Sequence, residues 1–335
     1  MMRPGSARFR LVVAIAVTAI GLAACSTGGD DEAVPTRSPA TTTATTSASG
    51  SSTASSTPRS STTRSSSAPT GSVPGDCTAG NCPALPVPTS SLMQGQITAG
   101  NAQQKVPAYL SSVLDDLDGT WGPWFDELGW GNPDPGRVLV ASGETFRSSC
   151  TDTDDRDTVV ESDTPNAFFC PVDVAADGSG QRVEGSVILP VETFVGIWTG
   201  TFLVQGPLDQ IGGFQGEFTA ATVVAHEYGH AVVDRIAQAG GLGPRSEPRG
   251  ENAELIADCL AGNWAATVLK RHQLSIADIT QAVALLQKIA DPAPGQGHGT
   301  ATQRIGAISL GFFGPSLGQG QPVNCFTKYW PEVFG

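Results

Sequence analysis

Apolar residues recur at helical spacing along most of the C-terminal half of this chain. Phe218 to Gln238 carries such a stripe and stops at Gly240-Gly241, as a helix end should. Glu251 to Leu269 is the next predicted helix. A third opens at Ser275-Ile-Ala-Asp278, whose Ser-x-x-Asp spacing resembles a capping box, and runs to about Ala290. A fourth spans Thr300 to Phe313. Upstream, Val106 to Leu117 predicts one further helix, with Leu110, Val113, Leu114 and Leu117 on one face. Trp121, Trp124, Phe125 and Trp130 follow in a stretch punctuated by Gly and Pro. Aromatics at this density favour core packing over a membrane-facing patch. Arg137 to Ala141 and Val187 to Leu189 read as short strands, and the Gly and Pro between them argue for a small, irregular sheet. Sheet segments followed by helices predict an α+β domain.

The first part of the chain has a different pattern. Leu11 to Leu22 is an apolar run behind Arg3, Arg8 and Arg10, too short for a bilayer span of about 20 residues but suited to a secretory signal. It ends in Leu22-Ala23-Ala24-Cys25, which resembles the lipobox of bacterial lipoproteins. That resemblance implies cleavage before Cys25, a diglyceride on its sulfur, and attachment at the extracytoplasmic face of the cell membrane. From Thr36 to Ser72 there is no Leu, Ile, Val, Phe, Tyr or Trp. Such a segment cannot bury enough apolar surface to offset its ordering entropy and is expected to be a disordered tether. The expected organisation is a signal peptide over 1–24, a lipid-anchored cysteine and tether over 25–75, and one folded domain over 76–335.

Charge and cysteine usage narrow the chemistry. The chain carries a net charge of −13, and residues 76–335 hold 13 Lys+Arg against 29 Asp+Glu. Nucleic acid and anionic lipid are therefore poor partners for the folded part. With Cys25 set aside, six of the 7 cysteines remain, an even number that favours disulfides in an exported protein. Cys77 and Cys82, close in sequence, form the most readily assigned pair. No C-x-x-C is present to support a cysteine-ligated zinc site.

The central motif is His226-Glu-Tyr-Gly-His230 on the helix predicted over Phe218 to Gln238. Histidines four apart share a helix face, so both imidazoles can reach one metal ion, and Glu227 can act on its bound water as general base. The flanks, Val223, Val224 and Ala225 before and Ala231, Val232 and Val233 after, are apolar. Polar side chains embedded there need partners, and a metal satisfies all three.

A catalytic zinc takes three protein ligands and leaves one position open. On the next helix, Glu251, Glu254 and Asp258 share a face, and periodicity alone does not separate them. Glu251 stands at the helix start, where an exposed acid is favoured by the helix dipole. Glu254 lies one turn deeper among apolar residues, as the expected third ligand, and the shorter Asp258 suits a hydrogen bond to a ligand imidazole that fixes its tautomer. Two other histidines remain. His272 sits at a helix end and reads as solvated. His298, in Gly295-Gln-Gly-His-Gly299, is a candidate for stabilising an oxyanion.

These residues resemble the gluzincin metallopeptidases, in which H-E-x-x-H is followed by E-x-x-x-D, and more narrowly the neutral zinc metallopeptidase family of bacteria. The matching stretches are His226 to His230, Glu254-Leu-Ile-Ala-Asp-Cys-Leu-Ala-Gly262 with Trp264, and Ala167-Phe-Phe-Cys-Pro-Val-Asp173. His298-Gly299 followed by Gln303-Arg304, and Cys325-Phe-Thr327, match later motifs. Two positions depart: Ala231 stands where a third histidine is expected, and Asn263 interrupts a Gly-apolar-Trp run. The resemblance implies a zincin-like fold with one Zn2+ per chain and a peptide or protein substrate. It also implies that Phe168 to Asp173 lies near the sheet edge beside the active-site helix, and that Cys150 pairs with Cys170 and Cys259 with Cys325. The expected function is extracytoplasmic peptide hydrolysis. The competing expectation is a non-catalytic envelope lipoprotein whose zinc is structural or which serves an interaction role; the intact Glu227 favours the enzyme.

Overall fold

The computed structural model describes residues 77–335 apart from 79, 91, 93–96, 152–156, 202–216, 243–245 and 317–318. The predicted signal peptide, Cys25 and the tether lie outside the described residues. In chain order, α1 (Ala102–Leu128) precedes β1 (Gly136–Val140), β2 (Thr145–Thr151), β3 (Asp157–Glu161), β4 (Phe168–Ala176) and β5 (Arg182–Pro190). The helices α2 (Val191–Thr199), α3 (Glu217–Ala239), α4 (Glu251–Lys270), α5 (Ile276–Lys288), α6 (Ala301–Phe313), α7 (Pro322–Tyr329) and α8 (Pro331–Phe334) follow. Among the described residues no helix is long and apolar enough to cross a membrane.

The sheet is small and irregular, as the sequence predicted, and its pairing is mixed. Its order is β1-β5-β4, with β1 parallel to β5 and β4 antiparallel to it. β5 takes the centre because Val187, Ile188 and Leu189 are fully buried, and a strand covered on both faces must be a continuous apolar run. The separate hairpin β2-β3 is joined to β4 by the Cys150–Cys170 disulfide, and Asp173 of β4 accepts from Ser148 Oγ at 2.6 Å and the Ser149 N–H at 2.7 Å.

Helix α1 is more than twice as long as the expected Val106–Leu117 and runs through the stretch read as broken by Gly and Pro. Tertiary packing overrides the weak local propensity there. Trp121, Trp124 and Phe125 are buried on its face, and Trp124 meets Trp121, Phe125 and Trp130 edge to face at 5.4–5.6 Å. The helix closes at Gly129, whose φ of 68° is the left-handed cap that glycine adopts freely. The aromatics are therefore core. Helix α2, which follows β5 without a loop, was not predicted, and neither were the short α7 and α8.

The C-terminal helices match the sequence reading closely. Ser275 and Thr300 cap α5 and α6 with reciprocal capping boxes to Asp278 and Gln303. What sets the site is how closely α3, α4 and α6 approach. A Cβ on Gly229 would stand 3.0 Å from the backbone of Ala257, and one on Gly311 would collide with the Cys259 carbonyl. Glycine at these two points lets α4 lie against both neighbours. Asn263, an unusual residue in the helical core, donates to the Gly311 carbonyl at 2.7 Å and ties α4 to α6. Cys259–Cys325 fastens α4 to α7, and Cys77–Cys82 closes a short N-terminal loop.

Candidate metal centre

Helix α3 is apolar on nearly every side because it runs through the middle of the fold, so His226, Glu227 and Tyr228 are all buried. One potential ligand atom each from His226, Glu227 and His230 lies within 4.8 Å of the others, a group able to hold a metal ion. The two imidazoles point the same way, with Nε2 atoms 3.3 Å apart. Glu254 enters from α4, its carboxylate oxygens 3.3 Å from His226 Nε2 and 3.7 Å from His230 Nε2. Zinc bonds of ~2.0–2.1 Å at tetrahedral angles set neighbouring ligand atoms about 3.3–3.4 Å apart. The residues therefore fit the ion.

Behind His226 stands a second layer of contacts. Asp258 Oδ1 is 2.8 Å from His226 Nδ1, which leaves Nε2 for a metal. Asp258 in turn receives Arg304 of α6 through both oxygens, Nε to Oδ2 at 2.7 Å and a terminal nitrogen to Oδ1 at 2.8 Å. Arg304 is buried. The sequence reading carried Arg304 only as part of a matching motif and gave it no role. The signal was there: a lone arginine inside the apolar helix α6 requires a carboxylate.

The site's electrostatics follow from this packing. Burial alone would lower the His226 pKa, but the charge and hydrogen bond of Asp258 overturn that and push it up to about 10. Burial and the neighbouring His226 charge push His230 down to about 4. Burial would raise Glu254, yet its hydrogen bond to His226 and the histidine charges bring it to about 2. Burial raises Glu227 to about 8 despite His226 and a hydrogen bond from the Phe169 backbone. Without a metal, then, one imidazolium is the cation that these carboxylates surround. A divalent ion held at the paired Nε2 atoms would take over that charge.

His298 and Glu251 take places that spacing did not reveal. His298 is exposed at the rim of the cavities that open on His226, Glu227 and Glu254. Asp291 holds it, accepting its backbone N–H at 2.7 Å and lying 3.4 Å from its Nδ1. Asp291 was not singled out by the sequence. Glu251 is half-buried rather than the exposed acid expected at a helix start. It accepts from the Gly295 N–H and from Gln303 Nε2, pinning the loop that carries His298. It does not reach the histidine pair. His272 is exposed, as read.

Comparison with known proteins agrees with this geometry. The profile of the family described as "Putative neutral zinc metallopeptidase" matches residues 80–327. The chain is 25% identical over 248 residues to the uncharacterized protein YpfJ of Escherichia coli K12, covering 67% of this chain and 72% of that relative. It is 30% identical over 171 residues to the uncharacterized protein Mb2605 of Mycobacterium bovis, covering 43% of this chain and half of that one, and Rv2575 of Mycobacterium tuberculosis H37Rv gives the same figures. No solved structure matches the chain.

Proposed function

The chain belongs to this zinc metallopeptidase family, and on that premise we propose that it hydrolyses peptide bonds with Glu227 as general base at a zinc held by His226, His230 and Glu254. The observation that carries the reading is the triangle of two Nε2 atoms and one carboxylate, with Glu227 beside it on the cleft side. Bound zinc supplies Lewis acidity, lowering the pKa of its water towards ~7 and polarising the scissile carbonyl.

The chain's own residues do the rest. Glu227 takes the proton of the attacking water and hands it to the leaving amine. Asp258 holds His226 in the tautomer with Nε2 unprotonated, and Arg304 keeps Asp258 ionised through its bidentate hydrogen bonds. His298, which Asp291 steadies at the rim, would donate to the developing oxyanion. A structural zinc is closed by four protein ligands; three ligands, a free glutamate and an open cavity support the enzyme instead.

The decisive variant is Glu227→Gln, which keeps the shape of the side chain and cannot accept the proton. Zinc should stay at one per chain by metal analysis while hydrolysis of a denatured protein falls by about 10²–10⁴-fold. Activity near wild type would remove the mechanism. The enzyme is proposed to act outside the cytoplasm, tethered by acylated Cys25. Fatty-acid labelling that survives Cys25→Ala would refute that anchor.

A further inference from the structure

Two cavities meet at the histidine pair. The first, of about 270 Å³, runs between α2, α3 and α5 and is walled by Phe194, Ile197, Val223, Leu285, Leu286 and Ile289. The second, of about 320 Å³, lies on the His230 side against Phe168 and Phe169 of β4, with Asp234 and Glu247 on its border. Both are lined by His226, Glu227 and Glu254, and both border Asn166, Ala167 and His298. A chain passing from one cavity to the other therefore crosses the cluster, with space on either side of it.

The first cavity falls just below the ~300–1,000 Å³ of sites that enclose a whole small molecule. It suits one large side chain. Most of its wall is methyl, methylene and phenyl groups; Asn166, Thr193 and Thr222 also line it, and His298 stands exposed at its rim against Asp291. Arg304 gives its hydrogen bonds to both oxygens of Asp258, so it is not free to receive a chain-terminal carboxylate. His226, Glu227 and Glu254 belong to the cluster itself. Apolar surface that opens directly on Glu227 can be covered only by the residue next to the bond being cut, because the scissile carbonyl must lie within hydrogen-bond reach of that glutamate's water.

We infer that the enzyme cuts internal peptide bonds and selects a large apolar side chain (Leu, Ile, Phe or Met) on a residue flanking the cleaved bond, seating it in the cavity between α2 and α5. This rests on the peptidase reading and adds to it the substrate class, an extended polypeptide recognised along its length rather than at an end. A hydrophobic pocket discriminates by roughly 10–200-fold for each methylene left out, so Leu over Ala at this position should be worth at least a factor of ten.

The test separates binding from catalysis. Full-length Glu227→Gln protein is titrated with N-acetylated, C-amidated peptides that differ only in Leu or Ala at one central position. Wild-type, zinc-loaded protein digests a blocked peptide mixture, and mass spectrometry locates the cuts. The expected result is at least tenfold tighter binding of the Leu peptide, and internal cuts beside large apolar residues. Two wall substitutions should each erase the Leu preference at least tenfold with zinc content unchanged. Val223→Phe fills the cavity, and Ile289→Asp places a carboxylate at the most exposed of its aliphatic wall residues. Cuts confined to free chain ends, or a Leu preference that survives both substitutions, would overturn the inference and leave the peptidase reading standing. Loss of all cleavage by zinc-loaded wild type would instead overturn the peptidase reading, and the inference with it.

Discussion

The active-site helix α3 has two buried polar networks built from the same parts, one on each side. On one side Arg304 clamps Asp258, and Asp258 holds His226. On the other, Arg137 clamps Asp118 of α1, and Asp118 receives the hydroxyl of Tyr228 at 2.9 Å. The two differ in where they end. The Tyr228 network ends on protein groups: the hydroxyl lies 2.9 Å from Asp118 and 3.5 Å from Asp134, and Arg137 reaches Asp115 as well at 2.6 Å, with its buried Nε left unpartnered. The His226 network leaves Nε2 pointing at a second Nε2 and a carboxylate, at the floor of an open cavity. Burial and an arginine-carboxylate pair are common to both. Ligand atoms left over and converging on one point distinguish the metal site from a structural brace.

The pKa pattern draws the same contrast. Burial raises Asp118 to about 6 against the pull of Arg137, whereas Asp258 ends below the ordinary carboxylate value, because Arg304 and His226 outweigh its burial. One carboxylate is poorly compensated and sits in a brace. The other is fully compensated and fixes a ligand.

The sharpest way to break the comparison is to remove one carboxylate from each network. Glu254→Ala should abolish stoichiometric zinc, read by metal analysis after dialysis. Asp118→Ala should keep one zinc per chain and lose about 1–3 kcal/mol of stability through the unpaired groups it leaves behind. Zinc lost in Asp118→Ala and retained in Glu254→Ala would invert the assignment.

Asp258→Ala, which keeps all three ligands, should weaken zinc by about 10–100-fold in a competition titration with a chelator. Proton linkage has a similar size. With His226 raised to about 10 and Glu227 to about 8, both hold protons in the metal-free site at neutral pH, and zinc must displace them. Calorimetry in buffers of different ionisation enthalpy should record between about one and two protons released per zinc at pH 7, with affinity falling about tenfold per pH unit for each proton as the pH is lowered. The sign for stability follows. The raised His226 pKa stabilises the metal-free fold in full below 6.5, its ordinary value, and that contribution fades as the pH rises towards about 10. Zinc should remove this alkaline loss of Tm. The smallest effect belongs to Tyr228→Phe. It removes one hydrogen bond and should cost about 0.5–1.5 kcal/mol by denaturant melt, with zinc affinity unchanged.

Much of the site could be read from the sequence because its logic is local. The spacing of His226, Glu227 and His230 on one helix, and of Glu254 and Asp258 on the next, follows from 3.6 residues per turn, and apolar flanks told which polar residues needed a partner. Capped helices such as α5 and α6 were legible for the same reason, since a capping box spans three residues. Long-range features were not. Arg304 lies 46 positions from Asp258 and His298 seven from Asp291, and neither pairing has a period to betray it. The length of α1 depended on tryptophans finding one another across Gly and Pro, and the separation of β2-β3 from the main sheet depended on a disulfide partner on β4.

What the sequence determined alone was the candidate ligand residues and the helices that carry them, because both are encoded within one or two helical turns. Tertiary structure decided how those helices meet. Contact between α3, α4 and α6 at Gly229 and Gly311 brings the third carboxylate within 3.3 Å of an imidazole, and the placing of α2 and α5 leaves an apolar cavity open beside Glu227. Helix spacing cannot encode such distances; they arise only when separate elements pack, where one added methyl group would hold them apart.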